Sequence, residues 1–251
     1  MAEMKTEFKK FRSQLWELIK TSVPVTLMYL LAGSVLIMIT MQSGTDVNGE
    51  ALPLKWDNTK LIWTVVLGIA CVLYNGVILW GCGGSHYEIL VAGNVKRMSA
   101  EKLGVNYKIS KHKVEQEYRP WKGFCMGALV GLFPLVLGIV FGCNHSFIHS
   151  GEPSLGSGIL VMVGFLLSGW CLIPFYFMNL GGVYASYFLC CLFAILPVIT
   201  SGLCYIWGAY ARRDKRLREE TIKENQEKEK QNKAQKVNYG ALPGTKPKKH
   251  K

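Results

Sequence analysis

Residues 153–211 read PSLGSGILVMVGFLLSGWCLIPFYFMNLGGVYASYFLCCLFAILPVITSGLCYIWGAYA, which is 59 residues without one Asp, Glu, Lys or Arg. A water-soluble domain has no need of so long an uncharged stretch, because even its buried helices alternate with charged faces and solvated loops. The hydrocarbon core of a bilayer, in contrast, requires about 20 apolar residues for each helical crossing. The stretch therefore predicts an all-α fold, a polytopic transmembrane helical bundle.

Three further apolar segments precede this stretch, at residues 22–42, 61–80 and 123–143. Each segment is about as long as one helical crossing and carries no charge, so each predicts a full span. Half of the 251 residues are hydrophobic, which leaves room for four to six crossings and for no separate soluble domain.

Hydropathy and charge disagree about how often residues 153–211 cross the membrane. Two ordinary spans, near residues 156–177 and 183–210, would place the C-terminus outside the cell. However, five cations follow within seven residues, and such a cluster favours the cytoplasm: Arg212, Arg213, Lys215, Arg216 and Arg218. Three full crossings need about 90 Å of helix, whereas 59 helical residues extend about 89 Å before any turn is made.

We therefore expect four full spans plus one re-entrant or strongly kinked hydrophobic segment, with both termini cytoplasmic. This segment would enter from outside at about residue 156, break near Gly164, Gly169 or Pro174, and return by about residue 182. Broken backbone of this kind is tolerated only where other helices shield it from lipid. Five ordinary spans with the tail outside are the alternative.

The chain divides into three parts by composition. Residues 1–21 have apolar residues at every third or fourth position with cations between them, which predicts an amphipathic helix at the membrane interface or packed in the cytoplasm. Residues 22–211 form the transmembrane domain, whose loop at 81–122 carries eight cations against four Glu and should be cytoplasmic. Within that loop, Gly104 is a candidate helix stop. Residues 212–251 form a charged tail, partly helical and then disordered from about Val237.

The third span carries a stripe of glycines at intervals of four and seven residues: Gly123, Gly127, Gly131, Gly138 and Gly142. Such spacing places them on one helix face, where a neighbouring helix can approach closely. The neighbour could be another helix of the same chain, a second copy of the chain or a different membrane protein.

Two pairs of residues have the i,i+4 spacing of metal ligands. Cys82 and His86 share a helix face just beyond the second span, with Glu88 nearby, but a structural zinc site needs about four ligands. His145 and His149 have the same spacing in a segment expected on the other side of the membrane, so the two pairs cannot form one site. Ordinary polarity at the membrane surface is the alternative for both pairs.

The polar residues expected within the spans are few and uncharged, Asn75 and Asn179 being the largest. They could bond between helices or line a path for a neutral solute. The spans lack the carboxylates, His and Lys that serve as proton or ion relays, which disfavours a coupled pump and intramembrane acid–base catalysis. Because no nucleotide-binding, zinc-protease or serine-hydrolase motif occurs either, we expect no cofactor and no enzymatic activity.

The net charge of +12 lies beside apolar spans, where the anionic inner leaflet of the bilayer accounts for it without nucleic acid. The eight cysteines lie mostly inside apolar segments without a CxxC motif, so we interpret them as small packing residues. This pattern suits a bacterial plasma membrane. The sequence favours a non-catalytic protein that associates with lipid, another membrane protein or itself. The alternatives are a permease or permease subunit for a neutral solute, and an enzyme or metal site near Cys82, His86 and Glu88.

Overall fold

The structure is a computed structural model that describes residues 2–41, 57–104, 114–149, 154–183 and 185–239. Its α-helices, in chain order, are α1 Ala2–Thr40, α2 Asn58–Lys102, α3 Pro120–Cys143, α4 His145–Ile148, α5 Leu155–Leu180, α6 Cys190–Phe193 and α7 Ile195–Tyr239. A short 3-10 helix, Tyr187–Leu189, precedes α6. No strand occurs among the described residues, so the predicted all-α fold is confirmed.

Five stretches of the described chain are helical, long and apolar enough to cross a membrane: Phe11–Thr40, Asn58–Lys102, Pro120–Cys143, Leu155–Leu180 and Tyr187–Lys233. The chain forms two compact units, Met1–Ala209 and Tyr210–Lys251. The second unit is described as helix as far as Tyr239, with exposed Lys215 and Glu219 side chains 3.9 Å apart. Disorder was expected from about Val237; the helix continues to Tyr239, and the rest of that expectation lies outside the described residues.

Side-chain contacts define two ends of the first unit. At one, the basic end, His86 bonds to Tyr205 and Gln116 bonds to Glu17. At the other, the far end, the Lys60 ammonium donates to the Thr40 carbonyl oxygen at 3.0 Å.

Helix α1 therefore runs from the basic end to the far end, and α2 runs back. Helix α3 runs from Lys122 at the basic end to the far end. The last span runs from Tyr187 at the far end to Tyr205 at the basic end. These four segments each run between the basic end and the far end.

Helix α5 enters the bundle from the far end and returns to the same end. Near its start, a Cβ on Gly156 would lie 3.4 Å from the Phe147 ring at the far end. Midway along, the Trp170 ring contacts the Tyr29 ring, which lies about 16 Å below Thr40 along α1. Near its end, the Phe177 ring lies 5.6 Å from the Lys60 ammonium, back at the far end. The expected re-entrant, kinked segment is therefore present.

The bend in α5 occurs at Ser168, whose backbone angles of φ −141° and ψ 27° are not helical. A Ser-Gly pair is a common site of sharp helix kinks, and Gly169 follows directly. At this point α5 passes so close to α1 that a Cβ on Gly169 would lie 3.3 Å from the Cα of Gly33. The Cys171 thiol donates to the Ser168 carbonyl oxygen at 3.2 Å.

The last span is also interrupted, at Ala194, between α6 and α7. Proline lacks the N–H that would bond to the carbonyl four residues earlier, so Pro197 disfavours a continuous helix through Phe193. The interruption is short, and the chain keeps its direction from the far end to the basic end.

One boundary expected from the sequence differs from the structure. Helix α1 continues without a break through Thr21 and Ser22, with Pro24 inside it, so residues 1–21 are not a separate helix. Their location at the membrane interface stays a prediction. Helix α2, in contrast, ends where expected: it runs to Lys102, and Gly104 follows with a positive φ of 63°, which confirms the expected helix stop.

The glycine stripe of α3 faces the last span of the same chain. A Cβ on Gly127 would lie 2.5 Å from the Pro197 carbonyl oxygen, and one on Gly131 would lie 2.5 Å from that of Ala194. The other three glycines lie against side chains of the same segment: Gly123 against Tyr205, Gly138 against Cys190 and Gly142 against Phe188. The stripe is therefore covered within the chain and is not free for a partner.

Candidate functional site

The polar residues in the middle of the bundle bond to one another. Asn75 on α2 is fully buried; its amide nitrogen donates to the Thr200 hydroxyl at 3.1 Å, and its amide oxygen accepts from the Ser201 hydroxyl at 3.0 Å. Thr200 in turn donates to the Leu196 carbonyl oxygen at 2.8 Å. The three side chains thus join α2 to α7, the role that amides and hydroxyls commonly have between membrane helices.

At the basic end, His86 on α2 is buried and its Nδ1 lies 2.8 Å from the Tyr205 hydroxyl of α7. The Tyr118 ring stacks on the Tyr205 ring with centroids 5.4 Å apart, and the Tyr118 N–H donates to the His86 carbonyl oxygen. A Cβ on Gly83 would clash with the Tyr205 carbonyl oxygen, so the backbones of α2 and α7 touch here.

Two buried charged residues fix the segment before α3 to the basic end. The Lys122 ammonium is buried and donates to the carbonyl oxygens of Glu115 and Glu117, the latter at 2.7 Å. The buried Glu117 carboxylate pairs with the Arg97 guanidinium of α2 at 2.5 Å. A buried charge is costly unless it is paired and hydrogen-bonded. These contacts therefore indicate that Lys122 and Glu117 have a structural role, which is to attach this segment to α2 and α3.

The proposed Cys82, His86 and Glu88 group is not assembled into one site. His86 points toward Tyr205, Cys82 is half-buried against the core, and the Glu88 side chain is exposed. Among the described residues, no group of three or more His, Cys, Asp or Glu is arranged to hold a metal ion.

Histidines and tyrosines form a second polar cluster at the far end. His149 Nε2 lies 2.8 Å from the Tyr187 hydroxyl, and the His149 ring stacks on Tyr176 of the returning arm of α5 at 5.3 Å. The His145 ring lies 4.8 Å from His149. Burial, and secondly the nearby His145, lower the pKa of His149 from its ordinary value of 6.5.

Asn179 lies beside this cluster, at the end of α5. Its amide oxygen accepts from the Ala185 N–H at 3.0 Å, and its amide nitrogen is buried without a hydrogen-bond partner in the described structure. A cavity of about 260 Å³ opens here, with His145, Asn179 and Tyr187 in its wall. Asn179 therefore lies at the far end, whereas Asn75 lies in the middle of the bundle, and the two do not share a site.

Two hydroxyls in the centre of the bundle also have no partner among the described residues, those of Tyr29 on α1 and Ser168 at the bend of α5. Both residues are buried. Tyr29 of α1 lies against Trp170, two residues beyond Ser168. Two unsatisfied hydroxyls therefore lie near the bend of α5.

An apolar groove faces the lipid between α2, the returning arm of α5 and the beginning of the last span. Its volume is about 440 Å³. Its wall includes Gly68 and Val72 from α2, Trp170 and Phe175 from α5, and Phe193 from α6. None of the charged residues of the described chain lines it.

Several residues with buried polar contacts were not singled out in the sequence. Tyr205 at the basic end, and Tyr176 and Tyr187 at the far end, resemble the aromatic residues that flank any span. Only their partners on distant helices distinguish them from such anchors.

Comparisons of the chain with protein-family models, with curated proteins and with solved structures each find no match.

Proposed function

We propose that this chain is a non-catalytic, multi-pass membrane protein that acts by binding other components of the bilayer, either another membrane protein or anionic lipid. The bonding of Asn75 to Thr200 and Ser201 is the observation that carries the proposal. These polar groups hold helices together instead of facing a reactant. This network between α2 and α7 therefore serves packing.

The basic end faces the cytoplasm of a bacterial plasma membrane in this proposal, and both termini lie on that side. Exposed cations at this end support the orientation through the positive-inside rule, among them Lys20, Lys96 and Arg119. Exposed tryptophans accompany them at the depth expected for lipid headgroups: Trp16, Trp80, Trp121 and Trp207. Anionic lipid of the inner leaflet is a natural partner for such a surface.

The docking surface for a protein partner lies on the lipid-facing sides of the bundle, because the glycine stripe of α3 is covered. Large apolar residues are exposed on each full span, such as Leu31, Val77, Leu132 and Leu203. Lipid alone requires apolar exposure on every face, so the adducts formed at each face distinguish a protein partner from lipid.

Site-specific photo-crosslinking in native membranes tests the proposal. A photoreactive residue at each of the four exposed positions, Leu31, Val77, Leu132 and Leu203, should give protein adducts or anionic-lipid adducts that concentrate on one face. The same residue at Leu36, which is fully buried, is the control. The proposal fails if no exposed position exceeds the control and the purified protein is monomeric and retains no lipid.

A permease for a neutral solute is a second candidate, supported by the re-entrant α5 and by the unsatisfied hydroxyls of Tyr29 and Ser168 at its deepest part. Hydroxyls without internal partners could be hydrated by a passing solute or water. Glycerol or urea flux into proteoliposomes should then fall in Tyr29→Phe and Ser168→Ala. Flux equal to that of protein-free vesicles would remove this candidate.

A further inference from the structure

The two histidines of the far-end cluster lie on one face of a single helical turn. The His149 N–H donates to the His145 carbonyl oxygen at 3.1 Å, so their i,i+4 spacing is helical in the structure. Residues at this spacing present their side chains on the same face of a helix. The two imidazole rings are accordingly close, with centroids 4.8 Å apart and planes tilted by 43°.

The His149 ring is held in place by the two segments beside it. Its Nε2 lies 2.8 Å from the Tyr187 hydroxyl of the last span, and its face stacks on the Tyr176 ring of α5. When Nε2 donates to the tyrosine oxygen, Nδ1 carries the lone pair of the imidazole. Histidines that bind metals usually have such an outer contact, which selects the tautomer and orients the ring. Tyr187 thus leaves one nitrogen of His149 available to a ligand.

The His145 ring also has nitrogens available to a ligand. Described residues contact this ring through ring packing, Tyr187 with centroids 5.9 Å apart, and none of them hydrogen-bonds to its nitrogens. The ring forms part of the wall of the far-end cavity of about 260 Å³. At about 30 Å³ for each water molecule, the cavity has room for several waters beside His145. An ion held by the imidazoles could therefore complete its coordination with water.

The chemistry of the cluster suits a transition-metal cation. Besides burial, His145 is the one described group that disfavours a positive charge on His149, so no ammonium or guanidinium repels a cation there. The described wall of the cavity contains no carboxylate, which argues against Ca²⁺ and Mg²⁺, since both prefer oxygen ligands. Neutral imidazole is instead a preferred ligand of Zn²⁺, Ni²⁺ and Cu²⁺.

We propose that His145 and His149 bind one divalent transition-metal ion of the Zn²⁺, Ni²⁺ and Cu²⁺ class, with water in the remaining coordination positions. Tyr187 is the positioning residue that orients His149. Such a site stays open to water, so it does not need the four protein ligands of a closed structural site. The inference goes beyond the proposed function, since association with protein or lipid requires no metal. The ion would stiffen the end of the bundle at which α5 enters and leaves, because His149 contacts both α5 and the last span.

Calorimetric titration of the purified full-length chain with Zn²⁺, without any histidine tag and at about pH 7.5, tests the site, because imidazole is mostly neutral at that pH. We expect one ion per chain and loss of saturable binding in His145→Ala and in His149→Ala. Tyr187→Phe should weaken binding about tenfold, the lower end of the range for outer contacts of metal-bound histidines. His86→Ala is the matched control, since it removes a histidine at the basic end, and it should bind like the unmodified protein.

A second measurement needs no substitution and remains informative if a variant does not fold. Diethylpyrocarbonate modifies unprotonated histidine nitrogens, and mass spectrometry of peptides locates the adducts. Of the five histidines of the chain, we expect Zn²⁺ to protect His145 and His149 and to leave the modification of the others unchanged.

Undiminished Zn²⁺ binding in a double variant, His145→Ala with His149→Ala, would overturn the inference, as would the absence of saturable binding to the unmodified protein. Equal modification of His145 and His149 with and without Zn²⁺ would also overturn it. Unchanged affinity in Tyr187→Phe would overturn the positioning role of Tyr187. All of these results would leave the proposed association function intact, since that function is tested by protein and anionic-lipid adducts on the exposed faces of the spans.

Discussion

The ring of Phe165 lies 5.1 Å from the ring of Tyr176, although both belong to α5 and 11 residues separate them. In a straight helix the two positions would be about 16 Å apart along the axis, beyond the reach of the two side chains. The contact therefore shows that the arms of α5 lie side by side. Of the five helical stretches long enough to cross a membrane, α5 therefore folds back on itself.

The close approach of α1 to the bend predicts that Gly33→Ala destabilises the bundle. The new Cβ would lie 2.4 Å from the Leu166 carbonyl oxygen and 2.7 Å from that of Phe165. Because backbone cannot move aside cheaply, we expect a loss of about 1–3 kcal/mol. Thermal unfolding in detergent measures it, with Gly81→Ala as the control because a Cβ there meets nothing within 4 Å. Equal stability of the two variants would contradict the predicted contact.

The bond between α2 and α7 predicts that Asn75→Leu lowers stability and leaves any lipid retention unchanged. Interhelical hydrogen bonds in membranes contribute about 0.6 kcal/mol each on average, so the loss of two should cost about 1–2 kcal/mol. Thr26→Val is the control, because its hydroxyl bonds to Ser22 within its own helix. An Asn75→Leu protein as stable as this control would show that the buried amide has no packing role.

The contact at the basic end predicts energetic coupling between His86 and Tyr205. In a double-mutant cycle of His86→Ala and Tyr205→Phe, we expect a coupling energy of about 0.5–1.5 kcal/mol, the usual value of a buried hydrogen bond. A cycle of His86→Ala with Tyr74→Phe should give none, since the Tyr74 side chain is exposed elsewhere on α2. Additive effects in the first cycle would mean that the two side chains do not interact.

The far-end cluster predicts lower stability in acid. Burial lowers the pKa of His149, so protonation favours the unfolded chain once the pH falls below the ordinary histidine value of 6.5. Above that pH the imidazole is neutral in both states and has no pH-dependent effect. The unfolding temperature should therefore decrease from pH 7 to pH 5, and less steeply in His149→Gln. Identical pH profiles for the two proteins would show that His149 protonation does not lower stability in acid.

The folding back of α5 could be predicted from the sequence because two independent signals, hydropathy and charge, disagreed about residues 153–211. The length of residues 153–211 disfavoured three full spans, while the cations from Arg212 to Arg218 favoured a cytoplasmic C-terminus and so an even number of full crossings. The exact bend could not be chosen, since Gly164, Gly169 and Pro174 all disfavour a regular helix. The bend at Ser168 packs closely against Gly33 of α1. The residues near Ser168 in the sequence give no information about this contact with a different helix.

The candidate site was less predictable for a related reason. Asn75 was identified because an amide in an apolar span is conspicuous, but its partners lie 125 and 126 residues away. The continuity of α1 was missed because its amphipathic and apolar portions are both helical patterns, and a change of composition does not end a helix. The lipid-facing groove has no sequence signature, since its lining consists of ordinary apolar span residues.

The central claim is that four helices cross the membrane while α5 returns to its own side. Epitope tags before Met1 and after Lys251, probed with an impermeant reagent in intact and permeabilised cells, test it most directly. We predict that both tags are protected in intact cells and become accessible together on permeabilisation. A protected N-terminal tag with an accessible C-terminal tag would require five crossings and would contradict the account.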